Sequence, residues 1–396
     1  MARRQLDLVM MRKTFLPFAL PDITEAEIAE VVAALQSNWI TTGPRTRQFE
    51  QDFAAYLGVA EALGLNSCTA GLHVALAAAG IGPGDEVITT TFTFCATVNV
   101  IEHVGARPVL VDITPDTLNI DPARVEAAVS SRTRAVIPVH YGGQCCDMQS
   151  IVALARDHDL TVIEDCAHAL PATCDGHTAG TLGDFASFSF YATKTMTTAE
   201  GGMLVAREPD RLDQARIFSL HGMSRDAWKR FSATGSWYYE VVVPGFKYNM
   251  TDLSAALGLT QLRRLEEMQH KRELIAAVYN QAFQTVSALE IPSVRPGMRH
   301  AWHLYPLRLH LEQLRIDRAQ FIEELKHQNI GTSVHYIPIH LHPFYRDRYG
   351  YHPERFPVAR HEYERLISLP IYSQMSLQDA DDVAAAVMTL VERFRR

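Results

Sequence analysis

Apolar and polar positions along the first half of the chain switch repeatedly between two periods. The runs EALGL, DEVITTTF, RPVLVDI, RAVIPVHYGG and LTVIEDCAHAL are continuous or alternating apolar stretches, the pattern of buried strands. The segments between them, CTAGLHVALAAAG, CATVNVIEHVG, DPARVEAAVS and MQSIVALARDHD, carry apolar residues at helical spacing. The fourth strand is expected to end at Tyr141-Gly142. Strand and helix in alternation predict a mostly parallel sheet covered on both faces, with ligands beyond the carboxyl ends of the strands. Two helices precede it: residues 24–37, with Thr24 and Glu27 as a capping pair, and residues 46–57 after a Gly-Pro turn. Residues 253–280 form one long helical pattern, followed by strand-like HAWHLYPLRL, helix-like DRAQFIEELKHQ and a last helix over 377–395. The expected organisation is a tail over 1–14, a large α/β domain over 15–262 and a smaller α+β domain over 263–396.

Composition narrows the class. With 396 residues, 47% hydrophobic and 21% charged, the chain can bury a large core. Its net charge of −8 argues against nucleic acid as a partner. The six cysteines form no CxxC pair, which fits buried thiols in a reducing cytoplasm. The start, MARRQLDLVMMRKTF, lacks the apolar core of a signal peptide, Met11 is an equally good start, and no run reaches transmembrane length.

The candidate chemistry centres on residues 183–203, GDFASFSFYATKTMTTAEGGM. A short buried strand runs into a polar turn carrying Lys194, flanked by small residues, and a glycine pair leads into a second apolar run. An amine held there is partly desolvated and becomes a nucleophile or base; the alternative is a surface lysine in a hairpin. Ser67, Cys68 and Thr69 stand where a strand gives way to a helix, which suits either a phosphate cradle or simple capping. Asp165 ends an apolar strand and needs a partner: a protonated pyridine nitrogen, a helix N-terminus or an arginine. His168 fits a ligand contact or a satisfied core histidine, and Phe94 fits ordinary core. GIGPGD at 80–85 follows a helix and precedes a strand, the reverse of a dinucleotide fingerprint, so it is a turn. His335, His340 and His342 do not match a metal helix, and Pro338 interrupts them.

NSCTAGLHVAL, DEVITTTFTFCATVNVI, VIEDCAHAL, GDFASFSFYATKTMTTAEGGM, PGFKYNMTDLSAALGLTQL and SLPIY, in this order, resemble the DegT/DnrJ/StrS family of pyridoxal-phosphate-dependent nucleotide-sugar aminotransferases from about Phe15 to Val391. The resemblance implies the aspartate aminotransferase-like fold type I and a homodimer with shared active sites. It implies that Lys194 is the Schiff-base lysine and proton shuttle, and that Asp165 pairs with the pyridine nitrogen. Ser189 would reach the phosphate, His168 would pack at the ring and its hydroxyl, and Phe94 would stack on the ring. Cys68, where the family often has glycine, and Thr69 fall in the phosphate turn, and Asn249 matches an asparagine reaching the phosphate of the neighbouring subunit. Trp228, Lys247, His335, Tyr336 and His340 are the implied substrate contacts. The implied reaction moves an amino group from L-glutamate through the pyridoxamine form to C4 of a nucleotide-linked 4-keto-6-deoxy sugar. Amination at C3 and a cofactor-binding regulator without turnover are the alternatives; a sugar 3-dehydratase is disfavoured because Lys194 is intact.

Overall fold

The computed structural model describes residues 12–224 and 238–396. Among the described residues, nine strands lie in the first part of the chain: β1 (Ala62–Leu65), β2 (Glu86–Thr90), β3 (Arg107–Val111), β4 (Thr133–Ile137), β5 (Thr161–Cys166), the short β6 (Thr173–Cys174) and β7 (His177–Thr178), β8 (Phe185–Ser189) and β9 (Gly202–Ala206). Seven of them form one sheet in the order β1-β9-β8-β5-β4-β2-β3. Only β9 runs against the rest, pairing antiparallel with both β8 and β1. The mostly parallel sheet is therefore present, with helices between successive strands from β1 to β5 as the alternating pattern required. Fold type I is the architecture.

Pro138 changes one expectation. The fourth strand stops at Ile137, four residues short, because Pro138 has no N–H to continue the ladder. Its carbonyl still accepts from Asp165 N (2.9 Å), and His140 N donates to Asp165 O (3.2 Å). The chain then tightens into a turn at Tyr141–Gly143.

The helix Glu25–Gln36 begins at Thr24, with Glu27 closing the expected capping box. The long helical pattern is one helix, Asp252–Phe283. Leu259, Leu265 and Met268 on it belong to the core behind β8 and β9, whereas Ile275, Tyr279 and Phe283 belong to the core of the C-terminal part. That part holds β10 (Leu289–Glu290), β11 (Met298–Arg299), β12 (Tyr305–Leu309) and β13 (Leu366–Leu369), of which β10, β12 and β13 form an antiparallel sheet. β11 instead pairs with β6 of the first part. Among the described residues no helix is long and apolar enough to cross a membrane.

Candidate active site

The period of two along β8 divides its side chains by task. Phe188 and Phe190 pack on Phe53, at ring separations of 5.2 and 5.6 Å. Each buried ring contributes about 1.5–3 kcal/mol, which fixes the register of the strand. Ser187 and Ser189 face the other way, toward the helix Cys68–Ala78. Ser187 Oγ donates to Cys68 O at 2.9 Å, and a Cβ on Gly71 would lie 2.1 Å from that hydroxyl. Small residues on both elements thus let the helix N-terminus settle against the end of β8.

The same alternation separates the two acids of β5. Asp165 Oδ2 accepts from Thr97 Oγ1 (2.8 Å) and Oδ1 from Ala167 N (3.1 Å), with Cys68 Sγ 4.0 Å away. Among the described residues no lysine or arginine is in ion-pair range of this buried carboxylate. Burial pushes its carboxyl up, although Thr97, Ala167 and the charge on Lys194 pull the other way. Glu164 points to the opposite face. It accepts from His140 Nε2 (2.8 Å) and from the backbone N–H of Gly180, Leu182 and Gly183. Burial would raise it, but His140 and the three amides together hold it below the usual carboxylate range. Glu164→Gln puts an amide where two of these donors converge. It is expected to cost about 3 kcal/mol, measured by chemical denaturation at neutral pH, with the difference shrinking in acid as Glu164 itself is protonated.

At the turn after β1, Ser67 caps the helix by accepting from Ala70 N at 3.1 Å. The N–H groups of Cys68 and Thr69, in the first helical turn, have no carbonyl within the helix and lie at its positive end. β9 is tight against them: a Cβ on Gly202 would sit 2.4 Å from Ser67 C and 2.5 Å from Cys68 N. Gly202→Ala must therefore push the turn away from β9. The expected loss is about 1–3 kcal/mol in thermal or denaturant unfolding, together with weaker cofactor retention.

Lys194 is half-buried in the turn after β8, its backbone N–H donating to Tyr191 O at 3.0 Å. Its Nζ has no hydrogen-bond partner among the described residues. Burial, with a smaller contribution from Arg272, pushes the amine down to about 8, against the opposing pull of Cys68 and Asp165.

Phe94 lies at the start of the helix Cys95–His103, and 57% of it is exposed, so it is not ordinary core. Its ring is 5.9 Å from that of Tyr336, which in turn stacks on His168 at 5.9 Å. These three join Asp165, Ser67, Cys68, Thr69, Ser189 and Lys194 around one end of the sheet. The remaining expected contacts divide. His335 bonds Ser368 Oγ at 2.9 Å and packs on Phe18 at 5.3 Å. His340 is a correction: it is fully buried, bonded to Thr91 Oγ1 at 2.7 Å and stacked on Phe356, so it cannot face a substrate. Lys247 and Asn249 bond to each other and line a separate cleft of about 1100 Å³, with Trp39, Thr42, Arg47 and His221. Trp228 lies outside the described residues.

Sequence reasoning missed Thr97, which donates to Asp165 and itself bonds Thr93 Oγ1 at 2.9 Å. The available signal was a threonine three and four residues before Val100 and Ile101, on the buried stripe of its helix. It also missed the Glu164–His140 pair that backs Asp165 from the other face of β5.

A buried carboxylate without a cationic partner, a free amine of lowered pKa and unpaired N–H groups at a helix start suit the three polar parts of pyridoxal phosphate: ring nitrogen, aldehyde and phosphate. Fold and donor set together define a fold-type-I, pyridoxal-phosphate-dependent enzyme. The model of the DegT/DnrJ/EryC1/StrS aminotransferase family matches residues 21–388, and the chain belongs to that family. It is a sugar aminotransferase. The spore coat polysaccharide biosynthesis protein SpsC of Bacillus subtilis is 52% identical over 386 residues, 97% of this chain and 99% of that one. Spr1654 of Streptococcus pneumoniae, solved in its PLP form, superposes with a TM-score of 0.89 at 35% identity, covering 96% of this chain and 99% of that one. PseC of Helicobacter pylori, an aminotransferase involved in the biosynthesis of pseudoaminic acid, gives 0.89 at 29% identity over 96% of this chain and 100% of its own.

Proposed function

We propose that this chain transfers the amino group of L-glutamate to C4 of a nucleotide-linked 4-keto-6-deoxy sugar, as a cytoplasmic homodimer. The observation that carries the amino-transfer chemistry is the pairing, in one site, of the free Lys194 amine with the buried Asp165 carboxylate that lacks a cation. Bound pyridoxal phosphate supplies an aldehyde that takes up and releases amino groups and a protonated ring that accepts electrons. Asp165 holds the proton on the ring nitrogen, and Thr97 and Ala167 keep its oxygens in place. Lys194 anchors the cofactor at rest. It then takes the proton from the α-carbon of the amino donor in one half of the reaction and returns one to the sugar carbon that receives nitrogen in the other. The N–H groups of Cys68 and Thr69 and the hydroxyl of Ser189 bind the phosphate, with Asn249 arriving from a second copy of the chain. That Lys247 and Asn249 face a cleft away from Lys194 within one chain supports this crossed arrangement. Phe94 stacks on the ring, and Lys247 neutralises charge on the nucleotide. The relative named for spore coat polysaccharide supports a product used in surface glycans.

The test is an absorbance spectrum of the reconstituted protein before and after L-glutamate, followed by 4-keto and 3-keto sugar nucleotides with mass detection of the product. A spectrum that converts with glutamate and recovers only with the 4-keto isomer is expected. Recovery with the 3-keto isomer alone would move the position to C3, and a spectrum that ignores glutamate would remove it as the donor.

A further inference from the structure

The loop that delivers Tyr336 is pinned on several sides. Tyr141 Oη donates to His335 O (2.6 Å), Ile339 N donates to Thr91 O (2.8 Å), and Ser333 and Ser368 exchange backbone hydrogen bonds of 3.1 and 2.8 Å. Tyr336 is consequently held with its hydroxyl 2.8 Å from His168 Nε2.

The proton on this contact can be assigned. Gly142 N–H donates to His168 Nδ1 at 3.3 Å, so that nitrogen is an acceptor. Burial, with the charge on Lys194, keeps the ring well below its ordinary value and hence neutral, and its single proton is on Nε2. His168 therefore donates to the phenol oxygen, and the hydroxyl hydrogen of Tyr336 must point elsewhere. Among the described residues it has no second partner. Burial and the nearby Asp165 carboxylate push the phenol far above its ordinary value, so it keeps its proton. A donor of fixed direction therefore opens beside Phe94 into the site.

We infer that Tyr336, oriented by His168, is the hydrogen-bond donor to the carbonyl oxygen of the keto sugar, the oxygen that leaves as water when nitrogen is added. The inference rests on the sugar-aminotransferase reading above and assigns one residue to one half of it. No covalent step passes through the phenol.

The experiment compares Tyr336→Phe with the wild type in separate half-reactions, using L-glutamate for the first and the dTDP- and UDP-linked 4-keto-6-deoxyglucoses for the second. The pH titration of the cofactor absorbance and equilibrium binding of the sugar nucleotide to cofactor-free protein are followed in parallel. Loss of the hydroxyl is expected to slow the sugar half about 10- to 100-fold and to weaken sugar binding. The glutamate half and the absorbance titration should be unchanged, while the melting temperature should fall modestly because the buried Nε2–H of His168 loses its acceptor. A shifted titration midpoint would mean that the phenol serves the cofactor, and equal rates in both halves would leave it a packing residue; either result overturns the inference alone. Wild-type protein that converts with glutamate yet aminates neither sugar would overturn the substrate reading, and this assignment with it.

Discussion

Lys194→Ala is expected to lower amino transfer by at least about 10³-fold, because one side chain both anchors the cofactor and moves the proton. The variant should still fold, since the Lys194 amine has no hydrogen-bond partner among the described residues to lose. Cofactor should still bind through the phosphate turn, but without the absorbance of a lysine-linked chromophore. Added primary amines should restore part of the proton transfer. The pH dependence has a definite sign. Attachment requires the neutral amine, and the value of about 8 places its titration far below that of an ordinary lysine. Cofactor uptake by the apoprotein should therefore speed up between about pH 7 and about pH 9 and then level off. Stopped-flow absorbance measures this directly. A flat profile across that window would remove Lys194 as the acceptor of the aldehyde.

Asp165→Asn is expected to cost on the order of 100-fold in both half-reactions, because a neutral amide cannot hold the ring nitrogen protonated. The substitution is nearly isosteric, so Thr97 and Ala167 can keep partners. The buried carboxyl is also already pushed up by desolvation, so removing its charge should leave unfolding stability close to wild type or slightly raised. Activity and stability should therefore separate: much slower turnover at similar stability. Equal loss in both half-reactions matters, since a role in substrate binding alone would penalise one half more than the other.

Much of this was legible in the chain. Strand and helix periods gave the sheet, since each element's apolar face must be covered whatever its neighbours are. The alternation in SFSF separated Phe188 and Phe190 from Ser187 and Ser189, and VIED placed Glu164 and Asp165 on opposite faces, because a strand can do nothing else with adjacent residues. Lys194 stood out because small residues surround it and a buried strand precedes it.

Other features depended on which distant segments meet. Pro138 ended β4 early through its missing N–H, yet pairing with Asp165 resumed beyond it because the neighbouring strand still offered partners. His335 and His340 looked equivalent in VHYIPIHLH. One came to rest against Ser368 and Phe18; the other was buried on Thr91 and Phe356. Thr97 gained its task only because its helix starts beside the end of β5. The proton on His168 was decided by an amide of Gly142, 26 residues away in sequence. Local periodicity and residue chemistry determined the elements and the identity of the reactive groups. Direction, protonation and partnership came from contacts between segments far apart in the chain, and only the tertiary structure decided them, because a hydrogen bond depends on where its partner is brought.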